Sequence, residues 1–288
     1  MHPVLLSFHL GETEVALRSY STFYVLAWVV AIALGTVTAW RRGFSWRQVL
    51  VVSAGALAVG IVGARLLDVA VNWGYYAEDT SRVYALGFRG FALYGGLTLA
   101  LAAGLLLSRA FRLPVWRLAD CAVPALAAGI VLMRVGCFLN GCCFGTVTSL
   151  PWGVTFPPGS PAWAWQLTNG QNGLLGFSGA VRPVHPTQLY EMFGALAIGA
   201  FAVWLMRRRD QEGRLLTPSG IPFLVFALGF TLFRTGNNLL RARMPSMTAP
   251  GWFYPAFYLF ICAGVAIVLV WRMRHVVPTP PSTGGLQV

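Results

Sequence analysis

The chain has 288 residues, 57% of them hydrophobic and only 10% charged, with a mean hydropathy of +0.65. A soluble domain carries about 25% charged residues, so a soluble globule is excluded. The formal net charge is +12 and all 21 basic residues are arginine. A nucleic-acid binder gathers such charge on a soluble face, whereas here the arginines punctuate apolar runs. No nucleic-acid partner is expected; the pattern fits membrane topology and contact with anionic lipids.

Residues 1–20 carry acids and no apolar core flanked by basic residues, so they do not read as a cleavable signal peptide. Runs of about 20 apolar residues then predict seven membrane-spanning helices, over 22–40, 49–71, 91–110, 116–136, 186–206, 219–240 and 252–271. Pro124 and Arg134 interrupt the fourth run, and Pro222 the sixth. The long connection 137–185 is rich in Pro, Gly, Trp and Asn and reads as a structured loop. The segment 276–288 is rich in Pro, Thr and Gly and reads as disordered. The expected fold is all-α: a single polytopic membrane domain over 1–275, without internal repeats.

Arginine placement predicts the orientation. Arg41, Arg42 and Arg47 follow the first span. Arg109, Arg112 and Arg117 follow the third, and Arg207, Arg208, Arg209 and Arg214 the fifth; Arg272 and Arg274 follow the seventh. In a seven-span chain all twelve fall on one side, which the positive-inside rule makes cytoplasmic. The N-terminus is then outside and the C-terminus inside.

On this map the unusual polar residues gather at the outer ends of the helices. Tyr24 opens the first helix, and Tyr94-Gly95-Gly96 the third. Arg65 and Asp68, three apart on one face of the second, form a candidate pair. Arg134 ends the fourth; His185, Gln188, Tyr190 and Glu191 open the fifth; Arg234, Asn237, Asn238 and Arg241 end the sixth. Arg134 and Arg234 are embedded in apolar sequence with no local acid, so they need an anion. A phosphodiester between them supplies one through charge-assisted hydrogen bonds. Each residue also has a plainer reading: tyrosines as interface belt, Arg241 and Arg243 as snorkelling cations, His185 as a helix cap.

Five cysteines are present: Cys121, Cys137, Cys142, Cys143 and Cys262. Cys121 and Cys262 sit in apolar runs, where cysteine acts as a small hydrophobe. Cys137, Cys142 and Cys143 have a C-x4-C-C spacing, and a structural zinc site of the usual pair spacing needs a fourth ligand. Packing is the default expectation, a disulfide on an oxidising outer face the next. No metal and no cofactor is assigned.

At these residues the chain resembles the prolipoprotein diacylglyceryl transferases of bacterial inner membranes. The family signature G-R-x-G-N-F-I-N-G-E-x-x-G aligns with Met133–Gly145, which reads MRVGCFLNGCCFG. The motif H-P-[ST]-Q-L-Y-E is intact as His185–Glu191. Arg65 follows Gly63-Ala64 where the family has G-G-R, and Arg234 to Arg241 matches R-x-x-x-E-x-x-R with Asn238 at the acid. Asp120 and Pro124 also match. The departures are Tyr94 for the histidine of H-G-G, Cys137 for the signature Asn and Cys142 for the signature Glu.

The resemblance implies seven transmembrane helices around an outer-leaflet site in the inner membrane. It implies transfer of diacylglyceryl from phosphatidylglycerol to the lipobox cysteine of a preprolipoprotein, with glycerol phosphate leaving. Arg134 and Arg234 would then hold the phosphate, with Arg65 or Arg241 assisting. Asn140, Gly145, Tyr24, Gln188 and Glu191 would contact the lipid, His185 would act as the base, and Tyr94 would donate a hydrogen bond to phosphate. The base is otherwise Glu191, or the arginines suffice. Two other readings stay open: a phospholipid transferase with a different acceptor, and a lipid-binding or redox-sensing protein using the cysteines.

Overall fold

The computed structural model describes residues 4–10, 13–84, 93–168, 181–209, 213, 215–243 and 251–275. The apolar runs fold as helices α1 (Ser19–Trp40), α2 (Trp46–Val71), α4 (Leu93–Ala110), α5 (Val115–Asn140), α7 (Thr187–Arg207), α8 (Ile221–Leu240) and α9 (Phe253–His275). Two short helices, α3 (Trp73–Ala77) and α6 (Pro161–Thr168), lie in the connections. Six of these helices are long and apolar enough to cross a membrane; α4 is apolar, but its described stretch, Gly95–Ala110, is shorter. Leu101, Leu106, Phe260 and Ile267 stay exposed on the helix surfaces, an arrangement costly in water and natural in lipid. The segment 276–288 lies outside the described residues.

Helix α5 is the axis: α1, α7 and α8 pack along it, α9 packs on α8, and α2 pairs with α4. The α2–α4 contact is a backbone contact. A Cβ on Gly63 would lie 2.6 Å from the Gly95 carbonyl oxygen, and one on Gly96 3.0 Å from that of Gly60. Glycine at these positions permits close helix approach where burial from water supplies no drive. At the other end of the bundle, Val123, Ala127, Ala202, Met206 and Phe226 interlock α5, α7 and α8. The Asp120 carboxylate of α5 accepts the Gly220 N–H at 2.7 Å and the Phe223 N–H at 3.0 Å. It thereby satisfies orphan donors at the start of α8.

Two features differ from expectation. Helix α5 continues to Asn140 rather than ending at 136, because no residue from Cys137 to Asn140 breaks a helix. It stops at Gly141 (φ 70°), where the Gly141 N–H bonds to Phe138 O and the Cys142 N–H to Cys137 O, both at 3.1 Å. That pair of bonds is the left-handed glycine stop. The N-terminal segment also forms an antiparallel hairpin, β1 (Val4–Leu10) and β2 (Thr13–Arg18), with Leu10 opposite Thr13.

The described residues of the 137–185 connection contribute to a small core beyond the ends of α5 and α8. Phe144, Phe156, Ala162, Trp165, Val184 and Ala242 bury one another. Backbone bonds stitch it to the helix ends: Gly145 N–H to His185 O (2.8 Å), Thr146 N–H to Leu240 O (2.8 Å) and Ala242 N–H to Phe144 O (3.2 Å).

Candidate active site

The Arg134 end of α5, the first turns of α7 and the last turns of α8 meet beneath this loop core. Arg134 is 6% exposed and Glu191 2%. Glu191 Oε2 lies 2.5 Å from Arg134 Nε and 2.8 Å from Arg234 NH1. Its Oε1 accepts Asn237 Nδ2 at 3.1 Å, and Asn237 also donates to Thr187 O at 3.1 Å. Arg234 Nε donates to Tyr258 Oη of α9 at 3.1 Å.

Neither arginine has an acid near it in sequence, as expected. The acid is Glu191, placed between them by tertiary packing. One carboxylate against two guanidiniums leaves excess positive charge in the cluster, and Arg241, whose backbone bridges Gly145 just past the end of α8, adds positive charge beside Cys143. Arg134 Nε, although close to the carboxylate, has no acceptor in line with its N–H. Gln188 Oε1 and Asn237 Oδ1 are likewise buried without a hydrogen-bond partner. Buried polar atoms in proteins are overwhelmingly paired, and with Arg134 Nε ion-paired to Glu191 the two acceptors left over, Gln188 Oε1 and Asn237 Oδ1, suit the donors of a ligand.

The cysteines lie on the other side of Arg134. Its NH1 is 3.8 Å from Cys137 Sγ, and the Sγ atoms of Cys137, Cys142 and Cys143 all lie within 4.8 Å of one another. All five cysteines of the chain are free thiols. Helix α7 fixes the Cys142-Cys143 turn: Gln188 Nε2 donates to Cys142 O at 2.6 Å and Thr187 Oγ1 to Cys143 O at 2.7 Å. Cys143 takes a left-handed backbone conformation, φ 61°. Hydrogen bonds from Cys137 and Cys142 hold the Cys143 thiol well below the ordinary thiol range, and Arg241 and Arg134 add to this against the cost of burial.

The other predicted residues divide. The His185 ring meets Tyr190, with Nδ1 3.3 Å from its Oη, and Trp152 Nε1 donates to the same Oη at 2.8 Å. Gly145 is a close-packing position: a Cβ there would meet His185 Cβ at 2.5 Å and Leu240 O at 2.7 Å. Asn140 lines a cavity of about 190 Å³ with Phe156, Pro157 and Ser160, apart from the arginine cluster. Tyr24 stacks on Tyr20 in α1, ring centroids 5.9 Å apart. Arg65 and Asp68 are joined through Tyr76 of α3, which donates to Asp68 Oδ2 at 2.5 Å and accepts from Arg65 NH1 at 3.4 Å. The side chain of Tyr94 lies outside the described residues. Sequence reasoning missed Tyr258 and the counter-ion network of Asn237; the spacing of Asn237 from Arg234, three residues on one helix face, was the available signal.

The sequence matches the family model described as prolipoprotein diacylglyceryl transferase over residues 5–273. Three curated relatives carry the name phosphatidylglycerol–prolipoprotein diacylglyceryl transferase. That of Synechococcus elongatus is 29% identical over 226 residues, covering 78% of this chain and 73% of its own. That of Geobacter sulfurreducens is 31% identical over 230 residues, covering 79% and 78%. That of Roseobacter denitrificans is 31% identical over 241 residues, covering 79% and 76%. With nearly its whole length matched, and with the motif residues of α5, α7 and α8 gathered at one buried cluster, the chain belongs to the prolipoprotein diacylglyceryl transferase family.

Proposed function

We propose that this chain transfers the diacylglyceryl group of phosphatidylglycerol to the cysteine thiol of a prolipoprotein's lipobox, releasing glycerol phosphate. The observation that carries the reading is the Arg134–Glu191–Arg234 cluster with its orphaned polar atoms. The excess positive charge binds the lipid phosphate. It then stabilises the charge that develops as the carbon–oxygen bond to phosphate breaks, an electrostatic effect of the kind that dominates many rate enhancements. Gln188 Oε1 and Asn237 Oδ1 are acceptors suited to the glycerol hydroxyls of the leaving head group. Glu191 is a positioning residue: it holds the two guanidiniums side by side. Arg241 adds to the phosphate field, with Arg65 near the lipid, Asn140 and Tyr24 at the periphery, and Tyr94 a donor at the start of α4. His185, oriented by the Trp152–Tyr190 relay, is the candidate proton acceptor for the thiol.

In this reading all seven long helices cross the inner membrane of a bacterium, with the N-terminus outside and the twelve flanking arginines in the cytoplasm. The cluster at the Arg134 end of α5 then faces the outer leaflet, where an exported lipoprotein precursor meets phosphatidylglycerol. Expression in a bacterium depleted of its own transferase tests the proposal. Restored growth, with a reporter lipoprotein heavier by one diacylglyceryl group, is the expected result. Membrane-inserted protein that leaves the reporter unmodified overturns it.

A further inference from the structure

The reaction proposed above alkylates a thiol, and the attacking species must be a thiolate. Next to the phosphate-binding arginines the structure holds three thiols in a prepared arrangement. Their sulfurs lie within 4.8 Å of one another. A tetrahedral zinc with sulfurs at about 2.3 Å sets them roughly 3.8 Å apart, so rotation about the Cα–Cβ bonds that moves the sulfurs by about 1 Å closes the site. The backbone of this turn is fixed from outside, by Gln188 and Thr187 on the carbonyls of Cys142 and Cys143. The left-handed conformation of Cys143 is uncommon for a residue with a side chain and typical of functional sites. Cys137 is buried, and Cys142 and Cys143 keep partial exposure.

We propose that Cys137, Cys142 and Cys143 bind one zinc ion and leave its fourth position for the thiol of the acceptor cysteine. This rests on the diacylglyceryl-transfer reading and names the group that activates its nucleophile. Three protein ligands with a fourth position for substrate is the pattern of a catalytic zinc, and a coordinated thiol is deprotonated outright. On binding, the acceptor thiol gives its sulfur to the metal and its proton to solvent by way of His185, the proton acceptor of the proposed reaction. The sulfur then forms a bond to the glycerol carbon of the lipid, while that carbon's bond to the phosphate oxygen breaks and its electron pair leaves on glycerol phosphate. Zinc stays divalent throughout. Four thiolates on zinc carry a charge of about −2. Arg134, which already touches Cys137 Sγ, and Arg241 supply the opposing charge. Arg134 thus links the nucleophile's site to the leaving group's site, with Glu191 and Arg234 on its far side.

The test uses the full chain purified in detergent with reductant and micromolar zinc, then exchanged into cobalt(II). About one metal ion per chain is expected, with thiolate-to-cobalt charge-transfer bands. Those bands shift on adding a lipobox peptide with its cysteine and do not shift with the serine peptide. Cys143→Ser and Cys142→Ser each lose the bands while keeping the wild-type helical spectrum. Chelated wild-type enzyme loses transfer on the order of 100-fold, the size of a lost proton-transfer catalyst, and regains it with zinc. Metal-free protein under these conditions overturns the inference, as does a disulfide among the three cysteines at saturating zinc, or full transfer after chelation. Full transfer after chelation leaves the transferase reading standing. Cobalt binding with a peptide response but no transfer by the zinc enzyme removes that reading instead.

Discussion

Glu191 is the residue whose loss is most informative. It is 2% exposed and is the carboxylate shared by Arg134 and Arg234, at 2.5 and 2.8 Å. Glu191→Gln keeps the volume and one acceptor oxygen but removes the charge. Breaking a buried ion pair from one side costs about 3–5 kcal/mol. The retained amide places this substitution near the lower end, about 3 kcal/mol. At about 2–4 °C per kcal/mol for a chain approaching this size, the apparent melting temperature in detergent falls by roughly 6–12 °C. The two guanidiniums, now repelling, separate, and a misplacement of about 1 Å costs on the order of 100-fold in rate. Glu191→Asp keeps the charge with a shorter reach, so it recovers more stability than activity. The assay is scanning fluorimetry at a fixed heating rate, paired with initial rates of glycerol phosphate release. A Glu191→Gln protein with wild-type melting and wild-type rate refutes the role of Glu191 as the arginines' shared counter-ion.

Other substitutions separate binding from packing. Arg134→Ala abolishes transfer, and Arg234→Ala lowers it by on the order of 100-fold or more, both read as glycerol phosphate released; retained full activity in either removes the phosphate role. Gly145→Ala forces its Cβ against His185 Cβ and Leu240 O and destabilises by about 1–3 kcal/mol; an unchanged melting temperature contradicts the close approach. Asp120→Ala strips the start of α8 of two hydrogen bonds and costs about 1–2 kcal/mol, with lipid binding retained in vesicle sedimentation.

The helices were legible because apolar length alone defines them: six of the expected runs reappear within a few residues as helices long enough to cross a bilayer. The end of α5 was harder. Gly136 looked like a terminus, yet it is a packing glycine against Phe23, and only Gly141 takes the left-handed stop. That Arg134, Glu191 and Arg234 form one cluster was half visible. Their position at matching helix ends follows from counting spans, but the pairing crosses 57 residues between Arg134 and Glu191 and 43 between Arg234 and Glu191, beyond any local periodicity. The coupling of Arg65 to Asp68 through Tyr76 was hidden for the same reason, since α3 is five residues long and too short to announce itself. The convergence of the three thiols needed the turn at Gly141, which the spacing of the cysteines alone does not encode.

If the Arg134–Glu191–Arg234 cluster drives transfer of diacylglyceryl from phosphatidylglycerol to a cysteine thiol, both products must form together and depend on Arg134. The direct measurement reconstitutes the purified chain in vesicles of phosphatidylglycerol with a lipobox peptide and weighs the peptide by mass spectrometry. The expected result is a peptide heavier by one diacylglyceryl group, with equimolar glycerol phosphate, and neither product from Arg134→Ala. An unmodified peptide with folded wild-type protein, or glycerol phosphate released without modification of the cysteine, contradicts it.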